Sequence, residues 1–182
     1  MSYLPPIVQA LLLLVVVSAA IFDIRERRVP NWIALAGLLL GIALNVFLFE
    51  TAGLWMSLKG FGLAFLIYFP LYLVRGMGAG DVKLMAAVGG IVGWANWLGI
   101  LVLTALMGGL AAVVIVLARG RVRQTLENIW MILMSLGHGR APYRVDPNLD
   151  VRSGKGIRLP HAAMIACGAI GFLVAAAIWA PH

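Results

Sequence analysis

Apolar residues in this chain come in long runs that polar residues seldom interrupt, and those runs predict its elements. A helix rises about 1.5 Å per residue, so roughly 20 apolar residues cross the hydrocarbon core of a bilayer. The runs at 7–22 and 32–49 meet that criterion. A third covers 58–74, with Lys59 able to snorkel outward at its start. A fourth covers 84–94, a fifth 98–118 and the last 162–179. The fourth is short and meets the fifth at Ala95-Asn96-Trp97, the best place for a turn. The pattern predicts an all-α integral membrane protein, a bundle of six transmembrane helices forming one polytopic domain over 1–182. Five spans with a re-entrant fourth is the alternative.

Composition agrees. The chain is 63% hydrophobic and 12% charged, with mean hydropathy +1.00. Soluble domains are about 45–50% apolar and about a quarter charged, so much of this surface must face lipid. The net charge of +7 would suggest nucleic acid if it were clustered on a soluble face. It is distributed by membrane side instead. With six spans and an outside start, 23–31, 75–83 and 119–161 lie inside and hold nearly every Lys and Arg, whereas Lys59 falls near the outside. Both termini are then expected outside. Ser18-Ala19-Ala20 resembles a signal cleavage site, but Arg25, Arg27 and Arg28 follow the apolar run and no basic residues precede it.

The inside segment 119–161 is the one sizeable extramembrane piece. Val122, Leu126, Ile129, Trp130, Leu133 and Leu136 recur near helical period among Arg121, Arg123, Gln124 and Asn128. That pattern suits an interfacial helix whose basic residues meet anionic headgroups. The stretch from His138 to Lys155 reads as a loop. Gly37 and Gly41, and Gly89 and Gly93, have the small-xxx-small spacing that lets membrane helices approach closely. Cys167, the single cysteine, reads as a small core residue. No metal or cofactor is expected, because His138, His161 and His182 would fall on different sides of the membrane.

Ionisable residues at membrane depth are functional candidates by default. Asp23 follows directly on the first apolar run, and Asp81 opens the fourth after Gly76-Met77-Gly78-Ala79-Gly80. Both are expected near the inner face on different helices. Two carboxylates a few ångströms apart share one proton, and such a pair can activate water while polarising a peptide carbonyl. Glycines beside them let the backbone turn and a peptide approach. The plainer alternatives are a helix N-cap for Asp81 and a solvated flank, paired with Arg25, for Asp23.

The sequence from Phe22-Asp23-Ile24-Arg25 through Val29-Pro30-Asn31 resembles the first signature of the type IV prepilin peptidases. Gly78-Ala79-Gly80-Asp81-Val82-Lys83-Leu84 resembles the second, the GxGD motif. Length and helix count fit across the chain. The resemblance implies an intramembrane aspartyl protease with Asp23 and Asp81 catalytic, and with Gly78, Gly80 and Lys83 in an active-site loop. It implies a prepilin or pseudopilin substrate, cleaved at the cytoplasmic face of a bacterial inner membrane. Bifunctional members, which also methylate the new N-terminus, carry an extra region between the first two spans, often with paired cysteines for zinc. Only a short connection stands there in this chain, which looks like the compact peptidase-only branch of tight-adherence (Flp) pili. Around the site, Arg25 reads as an anchor or a modulator of Asp23. Lys83 either tunes Asp81 or binds headgroups, Pro30-Asn31 starts a helix, and His161 is interfacial. Glu26, Glu127 or anionic lipid would offset repulsion between a basic leader and the basic inner face. A small proton- or cation-coupled transporter using the same aspartates is the rival reading.

Overall fold

The computed structural model describes residues 4–120, 122–137 and 160–179, and among these every regular element is a helix. The helices are α1 (Pro6–Glu26), α2 (Asn31–Leu73), α3 (Ala79–Ala118), α4 (Val122–Gly137) and α5 (His161–Trp179). All but α4 are long and apolar enough to cross a membrane. Their outer faces carry large exposed side chains such as Leu14, Phe47, Leu110 and Val174. Such a surface is compatible with lipid and not with water.

Helix α1 starts with Pro6 in its first turn, where a missing N–H costs nothing. It buries Val8, Leu12, Val15, Val16 and Ala19 and ends at Arg27 in the left-handed region (φ 53°), whose N–H donates to the Asp23 carbonyl.

The two longest helices are not straight rods. Helix α2 has 43 residues and α3 has 40, and each contains one non-helical position, Glu50 (φ 52°) and Gly93 (φ 76°). Asn45 Nδ2 donates to Ser57 Oγ at 2.8 Å although the two lie 12 residues apart. A straight helix would separate them by about 18 Å. Trp97 Nε1 likewise reaches the Met85 carbonyl, 12 residues back, at 3.1 Å. Each helix therefore doubles back on itself. The break in α3 falls at Gly93, not at the expected Ala95-Asn96-Trp97, because only glycine adopts that φ readily. Asn96 and Trp97 are buried inside the returning half. The half after Glu50 begins well before the expected Leu58, which leaves Lys59 exposed along its length instead of at its start.

The first half of α3 is the axis of the bundle, buried from Leu84 to Gly93 without interruption. Small residues make that possible. A Cβ at Gly60 would strike the Gly89 carbonyl oxygen, and one at Gly41 would sit 2.9 Å from the Ile91 Cα. The small-xxx-small reading thus holds for Gly37, Gly41 and Gly89, whereas Gly93 is the reversal itself. Cys167, expected in the core, is exposed on α5. The loop from His138 to Lys155 and His182 lie outside the described residues, as does the side chain of Leu136.

Gly60→Ala and Gly89→Ala should each destabilise the detergent-solubilised protein by roughly 1–3 kcal/mol, read as a lower thermal midpoint. Gly62→Ala, whose Cβ meets nothing within 4 Å, should not lower it. A Gly60→Ala variant as stable as wild type would refute the backbone-to-backbone contact.

Candidate active site

Asp23 stands in the last turn of α1, half-buried. Its Oδ2 accepts a hydrogen bond from the Ala162 backbone N–H at 3.0 Å. Ala162 belongs to the first turn of α5, where N–H groups lack partners within their own helix and favour a negative charge. Asp23 thus caps a helix 139 residues away. It is not merely a solvated flank, and Arg25, Arg27 and Arg28 around it are exposed.

Asp81 is the third residue of α3. The residue capping that helix is Gly78, in extended conformation, and the Asp81 carboxylate folds back to accept from its backbone N–H. A Cβ at Gly78 would lie 3.2 Å from Asp81 Oδ2, so a side chain there would crowd the carboxylate. At Gly80 a Cβ would lie 3.3 Å from Val29 Cβ, so glycine lets the α1–α2 connection press against the start of α3. Gly80 and Lys83 therefore sit in a helix turn and not in a loop, which corrects that expectation. Lys83 is exposed and donates to Asn31 Oδ1 at 3.0 Å. That bond ties the two sequence motifs together. Asn31 serves it as acceptor instead of capping α2, whose cap residue is Pro30.

Asp23 and His161 both lie within electrostatic reach of Asp81, so the C-terminal end of α1 and the N-terminal ends of α3 and α5 converge. Tyr68, buried on the returning half of α2, is also within reach of Asp81. Its ring meets Trp97 edge-on, with centroids 6.1 Å apart, and Trp97 is itself fixed by its bond to the Met85 carbonyl. A cavity of about 290 Å³ opens beside this cluster, with Tyr68, Met77 and His161 among its walls.

The sequence singled out Asp23, Asp81, Gly78 and Gly80, and the structure brings these together. It does not turn Lys83 toward the aspartates. Tyr68 and His161, which line the cavity near Asp81, were not singled out in the sequence. Tyr68 gave no signal within an apolar run, but His161 did: it is an ionisable group at the start of a span, as Asp81 is. Glu127, considered as a partner for a basic leader, is paired with Arg123 at 2.9 Å.

Comparison with known proteins adds two findings. The profile of the type IV leader peptidase family matches residues 10–113, a stretch containing both aspartates. The prepilin leader peptidase/N-methyltransferase of Escherichia coli (strain K12) is 28% identical over 129 residues. That alignment covers 66% of this chain and 57% of the relative. No solved structure matches.

Asp23→Ala removes the acceptor for the Ala162 N–H and should cost about 0.5–2 kcal/mol of stability, whereas Asp23→Asn keeps an acceptor and should cost less. Equal thermal midpoints for the two variants would contradict the cap.

Proposed function

The chain belongs to the type IV leader peptidase family, and we propose that it is an intramembrane aspartyl endopeptidase that removes the basic leader of pilin-like precursors. The reading is carried by one observation: the last turn of α1 and the first turn of α3 bring Asp23 and Asp81 together beside a cavity.

The chemistry needs no covalent intermediate. The two carboxylates hold one proton between them. The ionised member takes a proton from water, and the water oxygen attacks the carbonyl carbon of the scissile peptide. The protonated member hydrogen-bonds the carbonyl oxygen as negative charge develops on it. When the tetrahedral intermediate collapses, a proton passes to the leaving nitrogen and the C–N bond breaks. The roles belong to the pair, because coupled carboxylates titrate together.

Further parts of the reading follow the same lines. The doubling back at Glu50 and Gly93 supports six crossings by one polytopic domain spanning 1–182. Arg25, Arg75 and Arg119 cluster at the helix ends that also carry the aspartates, which supports a cytoplasmic face for that end and both termini outside. Helix α4 exposes Leu126, Ile129, Trp130 and Leu133 beside Arg123, which suits it to lie in the interface. The membrane is then the bacterial inner membrane, with anionic headgroups against α4. Only Arg27 to Pro30 separate α1 from α2. That connection leaves no room for an inserted region, which supports a peptidase-only enzyme of the tight-adherence pilus type, without the methyltransferase activity named for the E. coli relative.

The test is cleavage of a co-expressed tight-adherence prepilin by wild type, Asp23→Asn and Asp81→Asn, each checked for membrane insertion. Wild type should yield a mature, unmethylated product, and each variant should lose at least ~100-fold in rate. Persistent cleavage in either variant would break the two-aspartate mechanism. No cleavage by wild type would favour transport chemistry at the same aspartates.

A further inference from the structure

Two residues that line the cavity fix its place relative to the aspartates. Met77 immediately precedes Gly78, whose N–H holds the Asp81 carboxylate, and His161 immediately precedes Ala162, whose N–H holds Asp23. The cavity therefore adjoins the backbone anchors of both carboxylates. Its other walls come from the returning halves of α2 and α3, largely as aliphatic side chains such as Ile67, Leu71 and Leu101. Tyr68, Thr104 and His161 are the polar side chains among them. The Thr104 hydroxyl lies against Gly168 of α5, where a Cβ would collide with it, so it faces a helix and not the cavity.

Tyr68 is placed differently. It is only 5% exposed, and it stands on a helix that carries neither aspartate. Buried phenols normally have a hydrogen-bond partner. No hydrogen bond to another described residue involves the Tyr68 hydroxyl, which lies within electrostatic reach of Asp81. The ring itself is held firmly. It meets Trp97 edge-on, with centroids 6.1 Å apart and planes at 71°, and Trp97 is wholly buried with its Nε1 bonded to the Met85 carbonyl. Met85 stands about one turn beyond Asp81 on α3. The phenol is thus positioned against the same helix that positions the carboxylate.

We propose that Tyr68 is a further catalytic residue, whose phenol O–H donates a hydrogen bond to the carbonyl oxygen of the scissile peptide. The inference rests on the proposed peptidase reading and deepens it. The bond strengthens as the oxygen becomes negative, and it adds a second donor to the one the protonated carboxyl supplies. Phenols titrate near pH 10, so the proton stays on Tyr68 throughout and no bond to it breaks. A donor fixed in advance and shielded from water is worth far more to a developing oxyanion than one in solution. Burial and the Trp97 contact provide both conditions, whereas His161 is only half-buried.

The test is the kinetics of prepilin cleavage by purified full-length enzyme in liposomes, with rates taken per inserted molecule. Tyr68→Phe keeps the ring and its contact with Trp97 and removes the hydroxyl alone. Its kcat should fall by on the order of 100-fold, with KM and thermal midpoint unchanged. A tyrosine that serves only packing would tolerate phenylalanine. Trp97→Phe, which loses the bond that anchors the ring, should lower kcat in the wild-type background and no further in Tyr68→Phe. Wild-type kcat in Tyr68→Phe, a loss confined to KM, or losses that multiply in the double variant would each overturn the assignment. Those results leave Asp23→Asn and Asp81→Asn inactive. Cleavage by either aspartate variant would instead count against the peptidase mechanism, so the two failures are distinguishable.

Discussion

A helix that reverses inside a membrane frees backbone carbonyls in a place with no water to receive them, and this protein answers with buried amide side chains. The break at Gly93 deprives the preceding turn of its N–H donors. Asn45, wholly buried, points its Nδ2 at the Gly90 and Ile91 carbonyls at 3.2 and 2.9 Å, and also at Ser57. Asn96 Nδ2 reaches the Val92 carbonyl at 3.2 Å. Each unsatisfied group in hydrocarbon costs several kcal/mol. Asn45 thus joins the reversal of α2 to that of α3, and the first half of α3 runs to this junction from the turn at its N-terminus. Asp81 stands on that turn.

From that fixed axis the site is assembled by helix ends. Gly60 and Gly89 bring the returning half of α2 against α3, which places Tyr68 near Asp81. Helix α5 packs along α3 and α1, and its Ala162 N–H meets the carboxylate at the end of α1. Asp23 is held by a helix dipole and Asp81 by the backbone of its own glycine cap. Each carboxylate is oriented by contacts within the chain itself.

Much of this was legible in the sequence. Apolar runs locate helices because lipid imposes a length on them. The two aspartates stood out because acidic residues at span ends are rare. What escaped notice was set by contacts between distant segments. Asn45 lies within a run that reads as uniformly apolar, and its role depends on Ser57, Gly90 and Ile91 lying beside it. The reversal at Gly93 looked like half of a packing pair, since spacing alone does not distinguish a glycine chosen for size from one chosen for φ. The Asp23–Ala162 bond joins the first helix to the last, and no local pattern announces it.

The central claim is that folding alone brings the C-terminal end of α1 and the N-terminal end of α3 together. Cysteines at positions 23 and 81, in a Cys167→Ser background, can be tested in native membranes with a short bis-thiol reagent and no substrate present. Efficient intramolecular linking, seen as a mobility shift that reductant reverses, is the predicted result. Two thiols that each react with a monofunctional reagent yet cannot be bridged would contradict the account, and would mean that the aspartates meet only when substrate draws them together.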